Sequence, residues 1–123
     1  MRKPKMNMVR GKTGKVLRHL GIPEHLSGYT YLMDGVELTV GDPTMIRKMT
    51  TALYPALAAK YGVTPATSER AMRYAIERAW LRSDPDVLNS FFGNTISPDK
   101  GKPSNSEFIA RVSDAVRQEV ISC

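Results

Sequence analysis

Cysteine is almost absent from this chain, because the single one, Cys123, is the last of its 123 residues. One thiol forms no internal disulfide and no cysteine-built zinc site. Long apolar runs are also missing, so no segment is predicted to span a membrane. No charged segment followed by an apolar one opens the chain, and we therefore expect a cytoplasmic protein. A chain of this length predicts one domain around one core.

Residue patterns that support catalysis are also missing. There is no glycine-rich phosphate loop, no His-Glu-x-x-His pair and no serine in a nucleophile elbow. Glu69 and Glu77 lie too far apart along a predicted helix to act on one atom as a carboxylate pair. His19 and His25 lack a third ligand and are interpreted as surface residues rather than metal ligands. We therefore expect no enzyme activity, no metal site and no cofactor.

Acidic residues are absent from residues 1–18, which hold seven of the chain's 18 Lys and Arg residues. The net charge of +6 therefore belongs mostly to the start of the chain, since all 12 acidic residues lie in the remainder. Pro4, Gly11 and weak periodicity predict that residues 1–11 are a disordered basic tail and that residues 12–120 form the domain. Such a tail suits contacts with phosphates, although a solvated linker explains the same residues equally well.

The segment 57–82, LAAKYGVTPATSERAMRYAIERAWLR, has the spacing of a helix-turn-helix. The small side chain of Ala58 lets two helices approach closely, and Gly62 tolerates the positive φ needed to leave the first helix. Thr64 is placed to cap the second helix, with Pro65 at its first position, where a missing N–H costs nothing. We predict helices over residues 55–61 and 65–82, joined by a short turn.

The second helix of this pair is predicted to have two different faces. Its apolar stripe consists of Ala71, Met72, Ala75, Ile76, Ala79 and Trp80. Its polar face consists of Ala66, Thr67, Arg70, Arg73, Tyr74 and Glu77. A helix that packs with one face and is polar from its first turn on the other suits the reading of a DNA groove. An ordinary amphipathic helix pair in a bundle has the same spacing.

The remaining segments are predicted to be helical as well. Short helices are expected over residues 13–20 and 44–54, with a kink or restart at Pro55. Residues 25–41 have helical spacing, and a strand–turn alternative around residues 33–35 is less favoured because a lone hairpin has no sheet to join. Two further helices begin near residue 85 and after the capping box at residues 104–107. The prediction is an all-α fold, a six-helix bundle containing a helix-turn-helix.

Five stretches of the chain, in order, carry a resemblance to a known family. They are GYTYL (28–32), LYPALAAKYGVT (53–64), ERAMRYAIERAW (69–80), FFGNT (91–95) and KPSNSEFIARV (102–112). Over residues 12–119 the chain resembles the C-terminal DNA-binding effector domain of the stage-zero sporulation protein A, the sporulation master response regulator of endospore-forming Firmicutes. The resemblance implies binding to promoter elements like TGTCGAA, with activation and repression of transcription. The sequence has no room for that family's receiver domain.

The resemblance also implies which residues contact DNA. The family reads bases with an Arg, a Glu and an Arg; Glu69 and Arg70 match, and Thr67 replaces the first Arg. Arg70 can donate a bidentate pair to guanine and Glu69 can accept from cytosine, whereas the shorter Thr67 can touch a thymine methyl. Ser68 replaces an apolar family residue. Backbone or flanking contacts are expected from Thr64, Ala66, Arg73, Tyr74, Lys100 and Lys102.

The family contacts the sigma subunit of RNA polymerase through the turn and short helix that follow the recognition helix. The corresponding residues here are Ser83, Val87, Asn89 and Phe92, although at least one of Phe91 and Phe92 is also expected in the core. The expected partners are double-stranded DNA, the sigma subunit and, on tandem sites, a second copy in a homodimer. The alternative hypothesis is a helical protein-interaction module that modulates polymerase or a full-length relative without binding DNA specifically. Thr67 and the nearly neutral folded part favour that alternative.

Overall fold

The computed structural model of the chain describes residues 6–93 and 101–122, and the regular elements in these ranges are helical, without strands. The six α-helices are α1 (Met6–His19), α2 (Ser27–Gly41), α3 (Tyr54–Tyr61), α4 (Pro65–Arg82), α5 (Pro85–Phe92) and α6 (Asn105–Ser122). The predicted all-α fold is confirmed. No helix in the described ranges has the length and apolar character that crossing a membrane requires.

Helix α2 lies at the centre of the domain, packed against α1, α4 and α6. Ten of its 15 residues are buried, among them Tyr29, Leu32 and Val36. A helix with buried residues on all sides belongs in the interior of a bundle. This position confirms the helical interpretation of residues 25–41 and rules out the strand–turn alternative.

Two glycines let α2 approach its neighbours closely. A Cβ atom at Gly28 would lie 2.1 Å from the carbonyl oxygen of Ala71 and 2.7 Å from the Cβ of Ala75, both in α4. A Cβ atom at Gly35 would lie 3.1 Å from Cδ1 of Ile109 in α6. Glycine in a helix costs ~1 kcal/mol relative to alanine. At residue 28 the cost is offset by direct contact between α2 and the backbone of α4.

The prediction of a disordered tail over residues 1–11 is wrong for residues 6–11, which form the first turns of α1. Val9 is fully buried in the core. The guanidinium of Arg10 contacts Asp34 at 2.9 Å and Glu37 at 2.5 Å, both in α2. These contacts outweigh the low helix propensity of Gly11. The helix predicted over residues 13–20 therefore begins earlier, while residues 1–5 lie outside the described ranges.

The helix predicted over residues 44–54 takes two other helical forms. Residues 43–48 form a 3₁₀ helix, capped by the carboxylate of Asp42, which accepts from the N–H of Thr44 at 3.0 Å. Residues 49–53 form one turn of π-helix, in which the N–H of Tyr54 donates to the carbonyl of Met49. Pro55 lies in the first turn of α3, where no N–H is needed. The restart expected at Pro55 is therefore a change of helix type rather than a break.

The last two helices are held by an aromatic cluster and a capping box. The ring centroid of Phe92 lies 5.1 Å from that of Trp80 and 5.6 Å from that of Phe108, which joins α5 to α4 and α6. The N–H of Ser104 donates to Oε1 of Glu107 at 2.8 Å, and the N–H of Glu107 donates to Oγ of Ser104 at 3.2 Å. The predicted capping box is confirmed as the start of α6.

Candidate nucleic-acid interface

A three-residue turn, residues 62–64, joins α3 to α4. Gly62 has φ 65°, in the left-handed region, and its N–H donates to the carbonyl of Ala58. The hydroxyl oxygen of Thr64 accepts from the N–H of Thr67 at 3.1 Å and so caps α4. Pro65 lies in the first turn of α4. The helix-turn-helix predicted from the spacing is therefore present, and its helix ends agree with the prediction to within one residue.

Helix α4 packs on one side and is exposed on the other. Met72, Ala75, Ile76 and Ala79 are buried, and Trp80 is partly buried against Phe92 and Phe108. Ser68 is fully buried as well, and its hydroxyl donates to the carbonyl of Pro65 at 2.9 Å. This hydrogen bond within the helix satisfies the buried hydroxyl of Ser68. The outward side of α4 is therefore carried by a well-packed helix.

The outward side of the first two turns of α4 presents an exposed guanidinium. Arg70 is exposed, and among the described residues it has no hydrogen-bonding or ion-pair partner. Ala66 is exposed one turn earlier, and Thr67 is half-buried. The hydroxyl of Thr67 accepts from that of Thr64 at 2.9 Å. Arg70 on this surface is thus available to a ligand.

Glu69 is paired within its own helix. Its Oε1 accepts from Nη1 of Arg73 at 2.6 Å, and the two side chains are 30% and 53% exposed. The acid precedes the base by four residues, the favourable order for such a pair. Pairs of this kind on a helix surface contribute only ~0.3–0.5 kcal/mol. A base and a phosphate could therefore displace the pair at little cost.

The predicted flanking residues have different positions. Thr64, Ala66, Arg73 and Tyr74 are exposed on the turn and on α4. Lys102 precedes α6 and lies beside α4, because its ammonium contacts Glu77 at 2.7 Å. Lys100 lies outside the described residues. A cleft of about 560 Å³ opens between these elements, lined by Met49, Thr50, Tyr54, Glu69, Arg73 and residues 102–106.

Residues 13–116 match the family model for the sporulation initiation factor Spo0A C terminal. The chain belongs to this family. The match includes the whole helix-turn-helix and most of α6, and it confirms the resemblance seen in the sequence. This member of the Spo0A C-terminal family is therefore a DNA-binding domain of a sporulation regulator, and the family is not one of enzymes.

In this Spo0A C-terminal domain, the residues expected to contact the sigma subunit are not all accessible. Asn89 is exposed and Val87 is half-buried. The hydroxyl of Ser83 donates to the carbonyl of Leu20 at 2.9 Å. Phe92 is only 2% exposed, since its ring fills the space between α4 and α6. The expectation that Phe92 offers a contact surface is therefore corrected, because this residue belongs to the core.

Sequence reasoning missed a buried carboxylate that links three helices of the domain. Asp34 in α2 is 3% exposed and accepts hydrogen bonds from Arg10 at 2.9 Å, from Lys60 at 3.0 Å and from the Tyr61 hydroxyl. Burial is the largest influence and raises the pKa of Asp34, but the three donors together outweigh it. The pKa of this carboxyl therefore lies below its ordinary value.

Asp34 and its three donors, the Asp34 cluster, connect the first helix of the helix-turn-helix to α1 and α2. Lys60 and Tyr61 belong to α3, the supporting helix, and Arg10 belongs to α1. Burial, followed by the hydrogen bond to Asp34, raises the pKa of the Tyr61 phenol and keeps it protonated as a donor. The signal in the sequence is an aspartate directly after the apolar residues Leu32 and Met33 of α2. The strand–turn alternative assigned that aspartate to a turn, where aspartate is common.

Proposed function

We propose that the domain binds promoter elements resembling TGTCGAA with the first half of α4 in the major groove. The observation that supports this most directly is Arg70, an exposed guanidinium without a partner in the described part of the chain. It lies near the start of a helix anchored by Met72 and Ile76. Guanine presents O6 and N7 to such a group, and Arg is the residue that most often contacts them.

Glu69 and Thr67 make the neighbouring base contacts in this proposal. Glu69 accepts from N4 of a cytosine and releases Arg73, which then binds a phosphate. Thr67 contacts a thymine methyl and reads its end of the site less strictly than an arginine would. Thr64, Ala66, Tyr74, Lys100 and Lys102 contact the backbone at the flanks.

The proposal extends to protein partners of the DNA-bound domain. The turn before α5 and the helix itself contact the sigma subunit of RNA polymerase through Ser83, Val87 and Asn89. The exposure of Asn89 and the partial exposure of Val87 support this assignment. Phe92 contributes by holding α5 against α4 and α6. On tandem sites, two copies bind as a homodimer.

The test is a titration of variants on a TGTCGAA duplex and on a scrambled duplex at one salt concentration. We expect Arg70→Ala to lose about ten- to a hundredfold in specific affinity, because a bidentate pair gives ~1–3 kcal/mol of discrimination. Arg82→Ala is the matched control. It removes the same charge from an exposed position of the same helix, ~18 Å further along its axis. If both variants lose the same specific affinity, or if Arg70→Ala loses none, Arg70 is not the residue that reads the guanine.

Two further variants in the same titration test the neighbouring positions. Thr67→Arg restores the family pattern and should tighten binding to TGTCGAA. Glu69→Ala should relax the preference at one cytosine with little loss of affinity, because a carboxylate repels the DNA backbone. Weaker specific binding by Thr67→Arg would mean that this domain reads a different sequence.

The alternative function, a protein-interaction module without specific DNA binding, has one observation in its favour. The proposed base contacts Thr67, Glu69 and Arg70 form the reading surface. Two cations beside it, Arg73 and Lys102, are already paired with Glu69 and Glu77. A salt-dependent mobility shift separates the two functions. The DNA-binding proposal requires a TGTCGAA duplex to be retained at salt concentrations that release the scrambled one. The alternative requires both duplexes to be released together.

A further inference from the structure

The buried amide of Asn105 joins three helices behind the reading surface. Asn105 begins α6 and is 7% exposed. Its Nδ2 donates to the hydroxyl oxygen of Tyr54 at 3.1 Å and to the carbonyl oxygen of Glu69 at 3.1 Å. Tyr54 begins α3, and Glu69 directly precedes Arg70 in α4. One amide therefore connects the backbone of α4 at Glu69 to α3 and α6.

The backbone around Asn105, the donor in both hydrogen bonds, is held in place by its neighbours. The two hydrogen bonds between Ser104 and Glu107 fix the backbone on either side of Asn105. The following residues, Phe108 and Ile109, are fully buried in the core. A carbonyl oxygen has two lone pairs, so Glu69 can accept from Asn105 and keep its place in the helical ladder.

Ahead of Met72, the apolar contact of α4 with the core comes from the small, partly buried side chain of Ala71. Before Met72, the buried residue of this helix is Ser68, which has a small side chain. A bidentate contact to guanine requires donor–acceptor distances of ~2.7–3.2 Å from two guanidinium nitrogens to O6 and N7. If the backbone at residue 69 shifts by ~1 Å, the distances between Arg70 and guanine therefore leave this range.

We propose that Asn105 is a positioning residue for base recognition, which holds the backbone of Glu69 and thereby sets where Arg70 meets the DNA. The inference rests on the proposed function, because it concerns the same reading surface. Asn105 acts through the Glu69 carbonyl and does not itself touch a base.

The informative variant is Asn105→Asp. It keeps the size of the side chain and places a carboxylate in the first turn of α6, which suits the helix dipole. The hydroxyl of Tyr54 can donate to that carboxylate, whereas the carbonyl of Glu69 loses its donor. The matched control is Tyr54→Phe, which removes the Tyr54 hydrogen bond and leaves the one between Asn105 and Glu69 in place. Should Asn105→Asp prove unfolded in urea titrations, Asn105→Ala is measured with the same expectations.

Two measurements are made on these variants. The first is the ratio of affinities for the TGTCGAA and scrambled duplexes, in which the effect of an added negative charge on both duplexes cancels. We expect Asn105→Asp to lower this ratio about tenfold, since misalignment forfeits a bidentate contact, and Tyr54→Phe to leave it unchanged. The second is amide hydrogen exchange without DNA. We expect faster exchange at residues 69–73 in Asn105→Asp and unchanged exchange at residues 75–79.

An unchanged affinity ratio for Asn105→Asp would overturn the inference, as would an equal loss for Tyr54→Phe. Unchanged exchange at residues 69–73 would overturn it without any reference to DNA. A wild-type domain that fails to distinguish the two duplexes would instead contradict the proposed function. In that case the exchange measurement still decides whether Asn105 positions α4.

Discussion

Gly28 and Gly11 are both glycines inside helices, but their surroundings are opposite. A Cβ atom at Gly28 would lie 2.1 Å from a backbone oxygen of α4, whereas a Cβ atom at Gly11 would meet nothing within 4 Å. A backbone atom cannot move aside as the end of a flexible side chain can. The close approach at residue 28 therefore requires glycine, while residue 11 gains nothing from it.

Alanine at the two positions should change stability in opposite directions. We expect Gly28→Ala to destabilise the domain by about 3 kcal/mol or more, because overpacking against a backbone forces helices apart. We expect Gly11→Ala to stabilise it by about 0.5–1 kcal/mol through helix propensity. The midpoints of urea unfolding, compared at equal m-values, measure both changes. A Gly28→Ala domain as stable as wild type would contradict the packing described for α2 and α4.

Helix ends that are determined by residues close in sequence were predictable. The αL glycine at residue 62 and the cap at Thr64 define the helix-turn-helix, and the capping box defines the start of α6. The start of α1 was missed, because Val9 and Arg10 are held by α2, which is distant in sequence. The 3₁₀ and π segments were missed since apolar spacing does not distinguish them from an α-helix.

In the candidate site, too, the features set by neighbouring residues were predictable and the long-range hydrogen bonds were not. Periodicity alone predicts that Arg70 and Tyr74 face outward and that Met72 and Ile76 face inward. The hydrogen bonds of Asn105 and the three donors around Asp34 could not be predicted, because each joins helices separated by long stretches of chain. Single-sequence patterns carry no information on which distant polar groups meet.

The Asp34 cluster makes stability depend on pH. We expect Asp34→Asn to lower stability at pH 7 on the order of 2 kcal/mol through the loss of charged hydrogen bonds. Arg10 and Lys60 are half-exposed and return to water in the variant, which keeps the loss below that of an unpaired buried charge. The control is Asp114→Asn, at an exposed position of α6, for which we expect less than about 0.5 kcal/mol.

The sign of the pH dependence follows from the lowered pKa of Asp34 in the folded chain. The stabilisation is complete above the unfolded pKa of about 3.9 and is lost as the pH falls through the folded value. The difference between wild type and Asp34→Asn should stay constant from neutral pH down to about 5 and shrink below about 4. Urea titrations across this range measure it. A difference that grows on acidification would mean that Asp34 is not held as a carboxylate.

For the whole molecule, the distribution of charge determines how DNA affinity depends on salt. Arg10 is paired with Asp34 and Glu37, and Lys12 is paired with Glu119 at 3.0 Å. The basic residues before α1 are Arg2, Lys3 and Lys5. Deletion of residues 1–11 would remove Val9 from the core, so the deletion that tests the basic segment ends at residue 5.

Deletion of residues 1–5 should weaken binding to the TGTCGAA and scrambled duplexes by the same factor. If each of the three cations neutralises one phosphate, the slope of log K against log salt flattens by up to about three. Unfolding in urea serves as the control and should be unchanged. A deletion that alters the preference between duplexes, or leaves the salt slope intact, would assign these residues a different role.

The outward side of α4 makes few of the contacts that hold the domain together. Ala66 and Arg70 are exposed, and the half-buried Thr67 forms hydrogen bonds with Thr64 in the local cap. Substitutions at such positions usually change stability by no more than about 0.5 kcal/mol. If α4 reads DNA as proposed, evolution can therefore change the sequences that the domain binds, one amino acid at a time, without first acquiring compensating mutations in the core.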